Sequence, residues 1–220
     1  MRTIIFTGGE CRTERVAEWL SSDCDFFAPR DVSSANKLGR DTLVIAADSG
    51  YDTALAVGVT PHLVVGDMDS VRHSLPTETE IMRVRPEKDD TDTMLAIDTA
   101  LERGADSITV IGGAGGRADH WLSNIFMLEY LSDAGVAAEL WDGINRITVV
   151  HDGSVVIPAG CCYFGILALD DSTVTASGCR YPLNKAPLRR NHPYAVSNEV
   201  VGESAFVTVS GCAVVTVSYS

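Results

Sequence analysis

The chain has 220 residues, enough for one large domain or two small ones with buried cores. Its formal net charge of −13 at pH 7 argues against a nucleic-acid binder, which would present a basic face, and against a protein held on an anionic membrane surface. An acidic protein that binds a polyphosphate needs cations to mediate the contact. The charge balance therefore favours a divalent metal before any motif is considered.

Apolar runs and cysteines indicate a cytoplasmic chain. No apolar run approaches the roughly 20 residues that span a bilayer, and the first strand signal starts at Thr3, so we expect neither a membrane span nor a signal peptide. The six cysteines form no C-x-x-C pair, which is typical of reduced thiols packed as small hydrophobic side chains.

Strand and helix signals alternate through the first two-thirds of the chain. Short apolar runs predict strands at Thr3–Thr7, Thr42–Ala47, His62–Val65, Ile81–Val84, Ser107–Ile111 and Ala137–Trp141. Helices are predicted at Glu10–Ser21, Tyr51–Val57, Asp92–Arg103 and Asp119–Asp133, with Thr91 or Asp90 as N-cap of the third. Such alternation favours parallel pairing, so we expect residues 1–142 to form a three-layer, mostly parallel α/β domain.

The pattern changes after about Asp142. Short β-rich runs separated by turn residues follow at Ile147–His151, Ser154–Ile157, Tyr163–Ala168, Thr173–Ala176, Ala205–Val209 and Ala213–Ser218. Because no helix signal lies between them, we expect residues 143–220 to form a small antiparallel sandwich or barrel. The segment Tyr181–Asn198 contains three prolines and is predicted to be a long loop.

Acidic side chains follow two of the predicted strands. Asp48 comes after the second strand, and Asp67 and Asp69 come after the third. Polar function in a parallel sheet gathers at the carboxyl ends of its strands. Residues at i and i+2 of an extended segment point the same way, so Asp67 and Asp69 can face one ion, and Mg²⁺ prefers such oxygen ligands. Ordinary turn chemistry is the competing interpretation, since Asp favours turns.

A second acidic group opens the third helix. An Asp or Thr is expected there simply to cap free N–H groups and to meet the helix dipole. That explanation covers one or two residues, but not three acids and a lysine within the five positions from Lys88 to Asp92. Asp89 and Asp92 are therefore candidate metal ligands, and Lys88 is a candidate phosphate contact.

A glycine-rich loop, Gly112–Gly116, lies between a predicted strand and a predicted helix. Glycines let backbone N–H groups approach a phosphate, a helix N-terminus favours anions, and Arg117 can contact phosphate oxygens as a fork. The loop lacks the P-loop order and the third glycine of a dinucleotide fingerprint. Asp119 is a candidate N-cap, His120 a candidate orienting residue, and Asn124 lies one turn further on the same face.

Four motifs occur in the order and approximate spacing of thiamine pyrophosphokinases, which the chain resembles. They are Ala47-Asp48-Ser49-Gly50, Gly66-Asp67-Met68-Asp69-Ser70, Lys88-Asp89-Asp90-Thr91-Asp92 and Gly115-Gly116-Arg117-Ala118-Asp119-His120. Further on, Gly178–Leu183 resembles the family's G-x-x-[YW]-P-L stretch, and Ser197-Asn198-Glu199 its S-N-E stretch. The chain departs where Ser49 replaces a common glycine, and where the tail 214–220 lacks a Trp that some members place against thiamine.

The resemblance implies a catalytic α/β domain, a C-terminal β-sandwich that binds thiamine, and a homodimer with thiamine pockets between its subunits. It implies that Mg²⁺ and ATP phosphates contact Asp67, Asp69, Asp89, Asp92 and Asp119. Further nucleotide contacts are expected from Asp48, Gly50, Gly115, Gly116, Arg117, His120 and Asn124. Thiamine contacts are expected from Ser197 and Asn198.

The implied reaction transfers a pyrophosphoryl group from ATP to the thiamine hydroxyl and releases AMP. Such transfers need positioning and charge neutralisation, here expected from Asp69, Asp92, Asp119, Lys88 and Arg117. Asp69 or Asp119 is the candidate proton acceptor, and Tyr181, Tyr194 and Trp121 are candidates to stack on thiamine, with core packing as their alternative role. Three other functions stay open: a pyrophosphokinase of hydroxymethyl-dihydropterin, a non-catalytic sensor of thiamine diphosphate or nucleotide, and a metal-dependent phosphohydrolase.

Overall fold

The computed structural model describes residues 1–22, 42–84, 90–115 and 117–220, which form four helices and eleven strands. In chain order the first ten elements are β1 (Arg2–Phe6), α1 (Thr13–Ser22), β2 (Leu43–Ala47), α2 (Gly50–Ala56), β3 (Leu63–Gly66), β4 (Glu80–Arg83), α3 (Asp92–Glu102), β5 (Ser107–Ile111), α4 (Ala118–Asp133) and β6 (Ala137–Trp141). None of the helices in the described ranges is both long enough and apolar enough to cross a bilayer.

The six N-terminal strands form one parallel sheet in the order β6-β5-β1-β2-β3-β4. Alternate residues of β1 enter different cores, because neighbouring side chains on a strand point to opposite faces. Ile5 packs with side chains of α3 and α4, whereas Ile4 and Phe6 pack with side chains of α1 and α2. Helices therefore cover both faces, which confirms the three-layer α/β prediction and explains why these strands are continuously apolar.

The C-terminal strands are antiparallel. They are β7 (Asn145–Pro158), β8 (Tyr163–Ala168), β9 (Ser172–Ser177), β10 (Leu183–Leu188) and β11 (Ser204–Ser218). Strand β7 pairs with β6 and then with β11 along almost its whole length. One half of β11 pairs with β8 and the other half with β9. Buried side chains of these strands form a second core, and the pairing confirms the antiparallel C-terminal half.

A bulge separates the part of β11 that pairs with β9 from the part that pairs with β8. The register shifts between Val209 and Cys212, around Gly211, whose φ of 98° falls in the region that favours glycine. A Cβ atom added to Gly211 would lie 2.7 Å from the Ser172 hydroxyl. The two runs predicted on either side of this bulge are therefore a single bent strand.

The prediction of one long loop from Tyr181 to Asn198 is wrong for Leu183–Leu188, which form β10. In the described part of the chain β10 hydrogen-bonds only to β9, so it is an edge strand. Pro187 fits this position, because proline cannot donate to a sheet and is found mainly on edge strands. The prolines of this segment are typical of a loop, which is why the sequence did not predict the strand.

Candidate active site

The candidate site lies where the strand order reverses, between β1 and β5. The chain leaves β1 toward β2 on one side, while β5 and β6 lie on the other, and this arrangement opens a crevice at the carboxyl ends of the strands. The loops after β1 and β5 touch: a Cβ atom added to Gly9 would lie 1.8 Å from the Gly112 carbonyl oxygen. The crevice holds a cavity of about 590 Å³, lined by glycines of both loops and by the acidic side chains of Glu10, Asp48, Asp90 and Asp92.

Three carboxylates meet beside this cavity. Asp48, Asp67 and Asp69 each offer an oxygen atom, and these atoms lie within 4.8 Å of one another. The backbone N–H of Asp69 donates to Asp67 (3.1 Å), and the Ser70 hydroxyl donates to Asp69 (2.7 Å). Asp48 and Met68 have positive φ values of 48° and 68°, so the backbone is held in unusual conformations on both sides of the cluster.

The Asp48 carboxylate fits a cation. Its Oδ1 atom is buried and lacks a hydrogen-bond partner among the described residues. Burial raises the pKa of Asp48, and the negative charges of Asp92 and Asp67 raise it further, against the lowering effect of hydrogen bonds from Ser49 and Ser70. A hard divalent cation would relieve both the unmet oxygen and the repulsion, so the donor set suits Mg²⁺.

The N-terminus of α3 borders the same cavity. Thr91 is the N-cap, as one of the two predicted alternatives stated, and its hydroxyl accepts a hydrogen bond from the Met94 N–H (3.1 Å). Asp92 lies in the first helical turn and lines the cavity together with Asp90. The predicted roles of Lys88 and Asp89 fall on residues outside the described ranges.

Arg117 and Asp119 form an ion pair at the rim. The guanidinium donates through Nη2 (2.6 Å) and Nε (3.2 Å) to the two carboxylate oxygens, and both side chains are largely exposed. Arg117 occupies the N-cap position of α4 and lines the cavity, so the prediction of Asp119 as N-cap is wrong: Asp119 lies in the first turn. The Arg117 guanidinium holds the pKa of Asp119 below its ordinary value, which makes Asp119 a poor proton acceptor.

The start of α4 also fixes the glycine loop. The Asn124 amide donates to the Gly113 carbonyl oxygen (2.7 Å), and His120, Trp121 and Asn124 all line the cavity with Gly115. Gly116 lies outside the described residues. Gly50 does not line the cavity; it packs α2 against β1, where an added Cβ atom would lie 2.0 Å from the Phe6 carbonyl oxygen.

The predicted thiamine contacts lie elsewhere in the chain. The Asn198 amide is buried and joins Tyr181 in both directions, accepting from the Tyr181 N–H (3.0 Å) and donating to the Tyr181 carbonyl oxygen (2.8 Å). Ser197 is exposed with a φ of 57°. Among the residues that line the described cavity, neither Ser197 nor Asn198 occurs, and Tyr181 and Tyr194 are both exposed.

Sequence analysis missed the loop that follows β1. Thr7 and Glu10 line the cavity beside Gly8 and Gly9. The Thr7 hydroxyl donates to the Ile111 carbonyl oxygen (3.1 Å), which ties this loop to the end of β5. The available signal was the glycine pair at the end of the first strand. Because β1 is central in the sheet, the loop that follows it lies at the crevice.

Comparison with known proteins places both halves of the chain in one family. The model of the thiamin pyrophosphokinase catalytic domain matches residues 35–140, and the model of the thiamin pyrophosphokinase vitamin B1 binding domain matches residues 154–212. Thiamine pyrophosphokinase of Bacillus subtilis (strain 168) is 33% identical over 174 residues, 73% of this chain and 79% of the relative. Thiamin pyrophosphokinase 1 of Caenorhabditis elegans is 24% identical over 162 residues, 68% of this chain and 67% of the relative.

Solved structures share the whole fold. The crystal structure of thiamine pyrophosphokinase from Bacillus subtilis matches with a TM-score of 0.78 and 25% identity, over 100% of both chains. That of thiamin pyrophosphokinase from Geobacillus thermodenitrificans matches with a TM-score of 0.77 and 26% identity, over 100% of this chain and 98% of the other. Two domain models in succession and a relative of one-third identity show that the chain belongs to the thiamin pyrophosphokinase family.

Proposed function

We propose that this chain is an active thiamine diphosphokinase, which transfers the pyrophosphoryl group of ATP to the hydroxyl of thiamine and forms thiamine diphosphate and AMP. The observation that carries the proposal is the cluster of Asp48, Asp67 and Asp69 at the edge of a glycine-lined cavity, in a chain of this family. A cavity of about 590 Å³ is of the size that holds a nucleotide-sized ligand.

ATP is proposed to lie with its phosphates along the loops after β1 and β5. Gly113 and Gly115 carry no side chain to cover their backbone N–H groups, and Arg117 adds positive charge at the rim. Lys88 is proposed to add a second positive charge. Asp119 acts through Arg117, since it holds the guanidinium fork in one orientation. His120 and Asn124 position the loop.

Mg²⁺ is the proposed metal, with ligands from Asp67, Asp69, Asp89 and Asp92 and with Asp48 beside them. When bound, the ion would neutralise phosphate oxygens and polarise the phosphorus that is attacked. Asp69 is the better candidate than Asp119 to accept the proton of the thiamine hydroxyl, because Asp119 is tied to Arg117. The remaining work of the chain is to position the two substrates in line.

Thiamine is proposed to bind between two copies of the chain. Ser197 and Asn198 lie in the C-terminal half and do not border the cavity described within one chain, so a homodimer would complete the site. We accordingly propose a division into a catalytic domain, residues 1–142, and a thiamine-binding domain, residues 143–220. A cytoplasmic location is also proposed, supported by the five cysteines in the described ranges, all of which are free thiols.

The direct test incubates the chain with ATP and Mg²⁺ in the presence of thiamine or of hydroxymethyl-dihydropterin, and follows products by mass spectrometry. We expect AMP and thiamine diphosphate in equal amounts, and no diphosphate of the pterin. AMP with the pterin diphosphate would change the acceptor. Phosphate release without an acceptor would indicate a hydrolase, and tight ligand binding without AMP would indicate a sensor.

A further inference from the structure

The first turn of α2 forms hydrogen bonds with the loop that carries Asp67 and Asp69. The Asp52 carboxylate accepts hydrogen bonds from the Arg72 N–H (3.0 Å), the His73 N–H (3.2 Å) and the His73 ring Nδ1 (2.6 Å). One residue earlier, the Tyr51 hydroxyl donates to the Ser74 carbonyl oxygen (3.2 Å). Four contacts thus fasten three consecutive residues of the loop to two consecutive residues of the helix.

These hydrogen bonds are anchored in the core. Tyr51 is only 1% exposed and belongs to the core cluster against which Met68, Val71 and Leu75 of the same loop also pack. The Asp52 side chain is 19% exposed, so water competes little for its oxygens. The loop is therefore held by apolar contacts on one side and by a largely covered carboxylate on the other.

The same helical turn also fixes Asp48. The Tyr51 N–H donates to the Asp48 carbonyl oxygen (3.0 Å), and the Asp48 N–H donates to the Val65 carbonyl oxygen (2.8 Å) on β3. The first turn of α2 therefore holds both Asp48 and the loop that carries Asp67 and Asp69. Three carboxylates with oxygen atoms within 4.8 Å of one another repel in the absence of a cation, and these hydrogen bonds oppose the movement of the loop away from Asp48.

We propose that Asp52 is a positioning residue for the metal site. By holding Arg72 and His73 it keeps Asp67 and Asp69 facing Asp48, so it sets the affinity for a divalent cation that it does not touch. The inference rests on the metal site of the proposed function, and deepens it. Residues that orient metal ligands in this way are commonly worth 10- to 100-fold in metal affinity.

The test measures Mn²⁺ binding to the full chain by the loss of the free-ion electron paramagnetic resonance signal, without ATP or thiamine. We expect Asp52→Ala to raise the Mn²⁺ Kd about tenfold or more. Asp52→Asn, which keeps one acceptor oxygen, and His73→Ala, which leaves both backbone N–H contacts, should raise it by less. Asp106→Asn is the control, because it removes an equal charge that pairs with the N-terminal amine (2.7 Å) and does not line the cavity.

Thermal unfolding of the metal-free variants separates positioning from general damage. A lower melting temperature with an unchanged Kd in Asp52→Ala would overturn the inference, since a merely structural residue behaves in that way. If Asp52→Ala does not fold, wild-type Kd values in both Asp52→Asn and His73→Ala would overturn it. Wild-type chain that binds no Mn²⁺ would contradict the metal site itself and the inference with it. Weakened binding in a chain that forms no thiamine diphosphate would uphold the inference while contradicting the proposed reaction.

Discussion

Asp48 destabilises the metal-free chain, because one of its carboxylate oxygens is buried without a partner in the described structure and two like charges lie nearby. Proteins retain such unfavourable groups where a ligand or ion repays the cost. Asp48 has a positive φ and lies directly before the N-cap of α2, so the start of this helix fixes its backbone. The position of the Asp48 carboxylate therefore suits the binding of a cation and lowers the stability of the chain without one.

We therefore predict opposite effects of Asp48→Asn on stability and on activity. The metal-free variant should melt at a higher temperature than the wild type, because the charge of a half-buried carboxylate is gone. Turnover should fall by roughly 10²–10³-fold, the loss typical of removing one stabilising group from a charged transition state. Differential scanning fluorimetry with and without Mg²⁺ and ATP, together with AMP formation, measures both. A destabilised variant with wild-type turnover would contradict this role for Asp48.

At the scale of elements, a buried ion pair joins the two halves of the sheet. Arg146 on β7 donates to both oxygens of Glu139 on β6 (2.8 Å each), and the side chains are only 4% and 8% exposed. Thr109 on β5 donates to the same carboxylate (3.2 Å), and the guanidinium lies 4.4 Å from the centroid of the Trp141 ring. Three neighbouring strands are thereby linked through one carboxylate.

Arg146→Met should destabilise the chain by about 3–5 kcal/mol, because it leaves the Glu139 carboxylate buried without its guanidinium. The control is Arg103→Met, which breaks the more exposed pair with Glu80 (2.7 Å) and should cost less than about 1 kcal/mol. Urea unfolding of both variants provides the comparison. Equal losses would mean that the buried pair is no more important than the exposed one.

The end of α4 makes a pH-dependent contact with β7. The His151 ring lies 2.9 Å from the Asp133 carboxylate, which raises the pKa of His151, with smaller contributions of the same sign from Asp152 and Asp170 against a partial lowering by burial. A raised histidine pKa contributes stability that is complete below the unfolded value near 6.5 and disappears as the pH rises through the folded value. His151→Asn should thus lower the free energy of unfolding more at pH 5.5 than at pH 8. An equal loss at both pH values would exclude the ion pair as the cause.

Elements with local signals were predictable, and those that depend on distant partners were not. The carboxyl ends of parallel strands must meet at one edge, so the meeting of Asp48 with Asp67 and Asp69 followed from the strand assignments alone. The pairing of Asp119 with Arg117 depends on the turn into α4, which residue types do not specify. Strand β10 was missed because its edge position, which admits Pro187, is set by pairing with β9.

At the scale of the whole molecule, the two proposed ligand sites lie on different parts of the chain. The acidic cavity borders the parallel sheet, whereas Ser197 follows β10 in the antiparallel half. The charge of −13 suits the cationic thiamine but slows the approach of free ATP, so the nucleotide is expected to arrive with its metal. In a dimer with two-fold symmetry, the acidic cavity of each subunit would meet the Ser197 region of the other, which gives two equivalent sites.

Subunit mixing tests this arrangement. Asp69→Asn should abolish the metal site and Ser197→Tyr should obstruct the thiamine pocket, each leaving an inactive dimer. If each site takes one part from each subunit, half of the mixed population is heterodimeric with one of two sites intact, so about a quarter of wild-type activity should return on mixing. A mixture that stays inactive despite subunit exchange would place both parts of the site within one chain.

The most direct measurement is anomalous diffraction from crystals grown with Mn²⁺ and an ATP analogue whose α–β bridge is a methylene group, so that the bond broken in the transfer stays intact. We predict a manganese peak bounded by Asp48, Asp67 and Asp69, with the analogue's phosphates running from it along the glycine loop to Arg117. Manganese bound away from these three carboxylates, or phosphates outside the crevice between β1 and β5, would contradict the assignment of the active site.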